Sequence, residues 1–148
     1  MQDQDTFKSS SINYSFSLFN PRIFAEFYLK TVIYFVYDML SDESLERLRK
    51  IDKRNRHGNP ITIKKNGDEV CIDYLQSALE LEFLTDHFAF DQSIDRVVEI
   101  GPGYGRTCHA ILSNCAIQEY FIIDLPKGVD LCRNYLSKVL SEQQFSKI

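Results

Sequence analysis

The chain has 148 residues, 44% of them hydrophobic and 26% charged, with a formal net charge of −4. That length suits one ordinary domain, and the composition excludes an intrinsically disordered chain. A pI near 5.4 argues against general nucleic-acid binding, which leaves a basic footprint. The opening Met-Gln-Asp-Gln-Asp has neither the basic region nor the apolar core of a signal peptide. Four cysteines at 71, 108, 115 and 132 show no C-x-x-C spacing. They read as reduced, buried thiols, and a cytoplasmic location is expected.

Residues 1–19, rich in Ser, Asn and Asp, read as a loose N-terminal arm. Asn20-Pro21 then has the form of a helix N-cap followed by proline at the first helical position. Ile23 to Leu40 is strongly apolar, but Glu26, Lys30 and Asp38 interrupt it. Charges within a span are costly, so no membrane span is expected. A core helix is expected, with an oligomer or lid helix as the alternative. Ser41-Asp42-Glu43 opens a second helix with Leu45, Leu48 and Ile51 on one side. Its basic far end, running to Arg54, Arg56 and His57, is expected in a solvated loop; the sharper alternative is a site for a phosphorylated or acidic sugar.

Asn66-Gly67 is the preferred type I′ pair, which predicts a hairpin over residues 61–72. A two-residue turn there sets Ile63 opposite Val70 and Ile61 opposite Ile72. Asp73-x-x-Gln76 has the form of a capping box, and Leu75, Ala78, Leu79 and Phe83 follow at helical spacing. Tyr74 is expected as a packed tyrosine with a satisfied hydroxyl. These elements make residues 20–92 a helical region carrying one hairpin.

Residues 93–148 have a different pattern. Val97, Val98 and Ile100 are β-branched, and Tyr120 to Ile123 form an unbroken apolar run. Both read as parallel strands buried on two faces. Between them Gly101-Pro102-Gly103-Tyr104-Gly105 must turn the first strand into a helix. Glycine accepts positive φ and lets backbone approach a ligand closely. The helix that follows starts with unpaired N–H groups and a positive dipole end, suited to a carboxylate or phosphate. Asp124 ends the second strand, where a carboxylate can accept ribose hydroxyls. Leu125-Pro126 starts another helix with a stripe of Val129, Cys132, Leu136, Val139 and Leu140.

A dinucleotide fingerprint wants a small third residue at position 106, where Arg106 stands. This tells against an NAD(P)-dependent oxidoreductase. Here the third glycine comes one place early, giving E-x-G-x-G-x-G from Glu99 to Gly105. That run resembles the first motif of class I S-adenosylmethionine-dependent methyltransferases, and Ile123-Asp124 resembles the second. With Gly58-Asn59-Pro60, Asn66-Gly67, Asp73-Tyr74-Leu75, Ile123-Asp-Leu-Pro126 and Tyr135-Leu136, the series resembles the sugar O-methyltransferases of bacterial surface-polysaccharide loci. The resemblance implies a saccharide or other small-molecule substrate and S-adenosylmethionine as cofactor. It implies that Glu99 serves the amino-acid end, that Gly101, Gly103 and Gly105 contact the cofactor by backbone, and that Asp124 holds the ribose. It also implies a sheet with strands on both sides of the first. The chain is therefore expected to be α/β: a helical region with a hairpin, then the first, incomplete βαβα half of a Rossmann-like sheet. A homo-oligomer or a complementary C-terminal half are the expected protein partners, and no catalytic base is assigned. The alternative is a non-catalytic remnant or half-enzyme.

Cys108, His109 and Cys115 lack a further converging ligand in the sequence, so no metal site is expected. His57 and His87 are isolated. There is no G-x-S-x-G elbow, no H-E-x-x-H and no G-x-x-x-x-G-K-[ST] loop.

Overall fold

The structure is a computed structural model, and it describes residues 21–51, 60–88, 90 and 94–148. The expected N-terminal arm, Asn20 and the basic residues Arg54, Arg56 and His57 lie outside the described residues. The described chain is mixed α/β, with six helices and two two-stranded sheets.

Helix α1 spans Pro21–Met39 and buries one stripe, with Ile33 and Tyr37 fully inside. Its remaining surface is open to solvent. Helix α2, Asp42–Lys50, is capped by Ser41, whose Oγ accepts the Ser44 N–H at 3.1 Å. Acids open this helix and bases close it, as its dipole favours. Arg47 departs from a solvated basic end. It is buried, donating to Glu43 at 2.7 Å and to Thr85 Oγ1 at 2.8 Å, so it ties α2 to the next helix.

Strands β1, Ile63–Lys65, and β2, Asp68–Val70, form the hairpin, with Ile63 paired to Val70. Asn66 and Gly67 take φ of 51° and 86°, the two positive values of a type I′ turn. The ladder stops short of the expected Ile61–Ile72 pair, because Ile72 is already the first residue of helix α3, Ile72–Phe88. The two side chains of the expected capping box have other partners. Asp73 Oδ2 accepts the Tyr104 hydroxyl at 3.0 Å, and Gln76 donates to Glu80.

The buried face of α3 is also rotated from the expected one. Tyr74, Leu75, Ser77, Ala78 and Leu81 face inward, while Leu79 and Phe83 are 40% and 55% exposed. The cause is polar. Ser77 and Glu80 turn toward Arg106, which draws on both as hydrogen-bond partners, and that rotation carries Leu79 and Phe83 outward.

Strands β3, Arg96–Ile100, and β4, Glu119–Ile123, pair in parallel, Arg96 with Glu119 through Ile100 with Ile123. Helix α4, Arg106–Asn114, connects them. Helix α5, Pro126–Val139, follows β4 and buries Cys132, Tyr135, Leu136 and Val139. The short α6, Glu142–Phe145, starts with a complete capping box between Ser141 and Gln144. One face of the parallel pair, carrying Val97, Glu99, Tyr120 and Ile122, is covered in part or whole. The opposite face is not: Val98, Ile100, Phe121 and Ile123 are 49–79% exposed. Burial on both faces, expected from the apolar runs, therefore holds on one face only among the described residues.

The rotation of α3 can be checked by substitution. Leu75→Ala should lower the unfolding free energy by about 3 kcal/mol, as for other fully buried leucines. Leu79→Ala should cost less than about 1 kcal/mol at its half-open position. Urea titration of both variants decides between this face and the one expected from the sequence periodicity.

Candidate functional site

The glycine turn follows from local geometry. At Gly101, Gly103 and Gly105 φ is +70°, +60° and +98°, a region that costs L-residues with a Cβ roughly 1–2 kcal/mol each. The Gly105 N–H donates to the Pro102 carbonyl at 3.0 Å and closes the bend. The Gly101 N–H donates to the Ile123 carbonyl at 2.9 Å. That bond places the start of the turn beside Asp124, at the carboxyl ends of two adjacent parallel strands.

The three glycines differ in what surrounds them. A Cβ added at Gly101 or Gly103 would meet nothing within 4 Å. At Gly105 it would lie 2.7 Å from Cys132 Sγ and 3.1 Å from Leu136 Cγ. Gly101 and Gly103 thus present bare backbone to open space, whereas Gly105 lets the turn pack against α5. Gly105 also caps α4 with no side-chain hydrogen bond.

Asp124 lies at the start of α5. Its Oδ1 accepts the Leu125 N–H at 2.6 Å, and its carboxylate lies over Gly128. A Cβ at Gly128 would sit 2.5 Å from that carboxyl group, so the absence of a side chain there makes room for it. The sequence signal for this was an isolated glycine inside a helical pattern, which often has a packing reason.

Glu99 points to the covered face of the sheet. Its Oε2 accepts the Tyr120 hydroxyl at 2.9 Å. Burial holds the Glu99 carboxyl above the usual carboxylate range, with Glu80 adding to the effect and Tyr120 and Arg106 opposing it. Arg106 is anchored to α3 through the Asp73 carbonyl at 3.2 Å, Ser77 Oγ at 3.0 Å and Glu80 Oε1 at 3.0 Å. Tyr104 adds its bond to Asp73 and an edge-to-face contact with Tyr135, ring centres 4.9 Å apart. The glycine turn is thereby fixed to α3 on one side and α5 on the other. None of these partners was apparent from the sequence.

A hollow of about 530 Å³ opens between α3 and the first turn of α4, lined by Gln76, Leu79, Glu80, Phe83, Leu84 and Thr107. A second, of about 250 Å³, lies between β4, α5 and α6. Gly101, Gly103 and Asp124 line neither; their side of the turn faces solvent directly.

Comparison of the chain with family models, curated proteins and solved structures finds no match. The geometry therefore stands alone.

The remaining candidates from the sequence are interior groups, apart from His87. Tyr74 is buried and hydrogen bonded to Tyr135. His109 is fully buried, its Nδ1 2.9 Å from the Tyr135 hydroxyl. Burial raises the Cys108 thiol well above its usual range and pushes Cys132 up to about 11, so both are neutral at pH 7 and poor nucleophiles. His87 is exposed, stacked on Phe83 at 4.3 Å. Among the described residues no three His, Cys, Asp or Glu side chains converge as metal ligands.

Two tests follow. Gly105→Ala meets both positive φ and a blocked Cβ, and should lower stability by about 2–4 kcal/mol; Gly103→Ala should cost about 1 kcal/mol. Thermal and urea unfolding separate them. For Glu99 the folded state binds the proton more tightly than the unfolded chain. Its contribution therefore favours folding at acid pH and is lost as pH rises from the ordinary value of 4.5 through the raised one. Glu99→Gln should flatten that decline, seen as a smaller fall in unfolding free energy as pH rises above the ordinary carboxyl value.

Proposed function

We propose that the chain binds S-adenosylmethionine across the glycine turn and Asp124, as the cofactor-binding part of a sugar O-methyltransferase. The observation that carries this reading is the pairing of open backbone at Gly101 and Gly103 with a carboxylate one strand away. Nucleosides bind in such crevices beyond the carboxyl ends of parallel strands. The space over both glycines fits a ligand lying on the backbone.

Each residue has a definite task in this reading. Gly101 and Gly103 let the ligand approach without a side chain between. Asp124, already oriented by the Leu125 N–H, accepts the two ribose hydroxyls. The start of α4, which no side chain caps, offers N–H groups to the ligand's carboxylate. Glu99, when ionised, attracts its ammonium group. When bound, S-adenosylmethionine supplies an electrophilic methyl group for an oxygen acceptor. The chain's contribution is positioning and charge complementarity, which are worth much of a transfer barrier. The sugar acceptor and the link to surface-polysaccharide synthesis rest on the sequence resemblance alone.

A second reading is favoured by the exposed Val98, Ile100, Phe121 and Ile123. A parallel pair bare on one face is half of the usual arrangement, in which helices cover both. In this reading the chain binds cofactor but transfers no methyl group until a complementary polypeptide covers that face.

Calorimetry with S-adenosylhomocysteine tests the first claim. Saturable heat is expected, and Gly103→Val should abolish it. Asp124→Asn should weaken binding about 10- to 100-fold, as for a lost hydrogen bond to a charged group. A folded sample that gives no heat overturns the proposal, and tight NADH binding would replace it with a dinucleotide reading. Binding without methyl transfer to sugar nucleotides selects the second reading.

A further inference from the structure

We infer that α1 is the dimerisation element of this protein, pairing antiparallel with α1 of a second copy about a two-fold axis at Thr31. The inference is independent of any cofactor. At about 100° per residue, the buried side chains of α1 occupy one side of the helix. They are Ile33 and Tyr37, joined by the half-buried Leu29 and Val36. The other side is mostly apolar and exposed. Phe24, Phe27, Tyr28 and Phe35 are 59–69% exposed, and Ile23, Tyr34 and Met39 are 66%, 50% and 81% exposed. Together they fill an arc of about 160°. A contiguous apolar patch of this kind marks an interaction site.

The arrangement along the helix selects the occupant. Thr31 lies at the centre of the arc, and six of the seven apolar positions are mirrored about it; the seventh, Phe24, has Asp38 as its mirror. Phe27 and Phe35 stand four residues either side, Tyr28 and Tyr34 three, Ile23 and Met39 eight. A two-fold interface sets each patch against itself in reverse order. Phe27 then meets Phe35 of the second copy, Tyr28 meets Tyr34, and Ile23 meets Met39. Thr31 is small, and its hydroxyl is satisfied by the Phe27 carbonyl at 2.9 Å, so two helices can approach closely where they cross. The one acid within the arc, Asp38, is paired with Lys65 at 2.5 Å. Lys65 also sits over the Tyr34 ring at 3.3 Å and fixes its orientation. Glu26 and Lys30 on the flank pair with each other at 2.7 Å.

The size agrees. An aromatic side chain buries about 150–250 Å², so these half-open residues offer roughly 100 Å² each, or about 700 Å² per copy. Stable dimers bury about 800 Å² per partner. A membrane surface suits the helix less well. Interfacial helices carry a Lys- and Arg-rich polar face, whereas the charges of α1 are two of each sign: Arg22 and Lys30 against Glu26 and Asp38. No helix among the described residues is long and apolar enough to cross a membrane.

Sedimentation equilibrium of the full chain should give twice 17.3 kDa. Phe27→Glu with Phe35→Glu should raise the dimer dissociation constant by at least about 100-fold, as expected for two central aromatic contacts, with unchanged circular dichroism. Orientation is read by oxidation. Thr31→Cys should form a disulfide-linked dimer with itself. Ile23→Cys should not, but should link to Met39→Cys when the two are mixed. A monomeric full chain overturns the inference, whether residues 1–20 cover the face or the monomer binds anionic vesicles. So does a dimer that survives the double glutamate substitution, a larger assembly, or an Ile23→Cys self-link, which would mean parallel helices.

Discussion

The approach of Gly105 to α5 is the constraint on which the second half of the molecule depends. Three conditions meet at one residue: a left-handed backbone, a helix start, and a neighbour that leaves no room for a side chain. With Gly105 seated on Cys132 and Leu136, the direction of α4 is set and the turn before it has one way to run. Gly101 and Gly103 are then left on the open side. The same contact holds α5 beside α4, where Tyr135 meets His109, on the side of the sheet that carries Tyr120, so the covered sheet face and the exposed turn have a common cause.

A polar lattice makes that geometry rigid. Asp73, Ser77 and Glu80 on α3 hold Tyr104 and Arg106 in and just after the turn. Tyr135 on α5 joins His109 and Tyr74. These bonds are partly or wholly buried, where an unpartnered group would cost about 1–3 kcal/mol, so they fix one arrangement of the three helices. Surface pairs such as Arg96–Glu119, with both side chains exposed, add little by comparison.

Local chemistry made much of the fold legible. The Asn66-Gly67 turn, Ser41 as a cap and the strand–turn–helix–strand order from Arg96 to Ile123 each follow from a few neighbouring residues. What was not legible depends on partners far along the chain. The face that α3 buries is decided by Arg106, and the burial of Arg47 by Thr85. Apolar runs in β3 and β4 could not show that one side would lie bare. In the site, glycine spacing located the turn. It could not distinguish Gly105, which packs, from Gly101 and Gly103, which are open, nor reveal that Glu99 would lie under Tyr120.

Gly128 has a quieter consequence. Its backbone is ordinary helix, and alanine there would strengthen α5 by something approaching 1 kcal/mol by helix propensity. Yet any side chain would evict the Asp124 carboxylate from its seat. Thermal robustness and the acid's placement are thus opposed at a single methyl group. Selection for heat tolerance alone would be drawn to this position and would shift the carboxylate while leaving the fold intact.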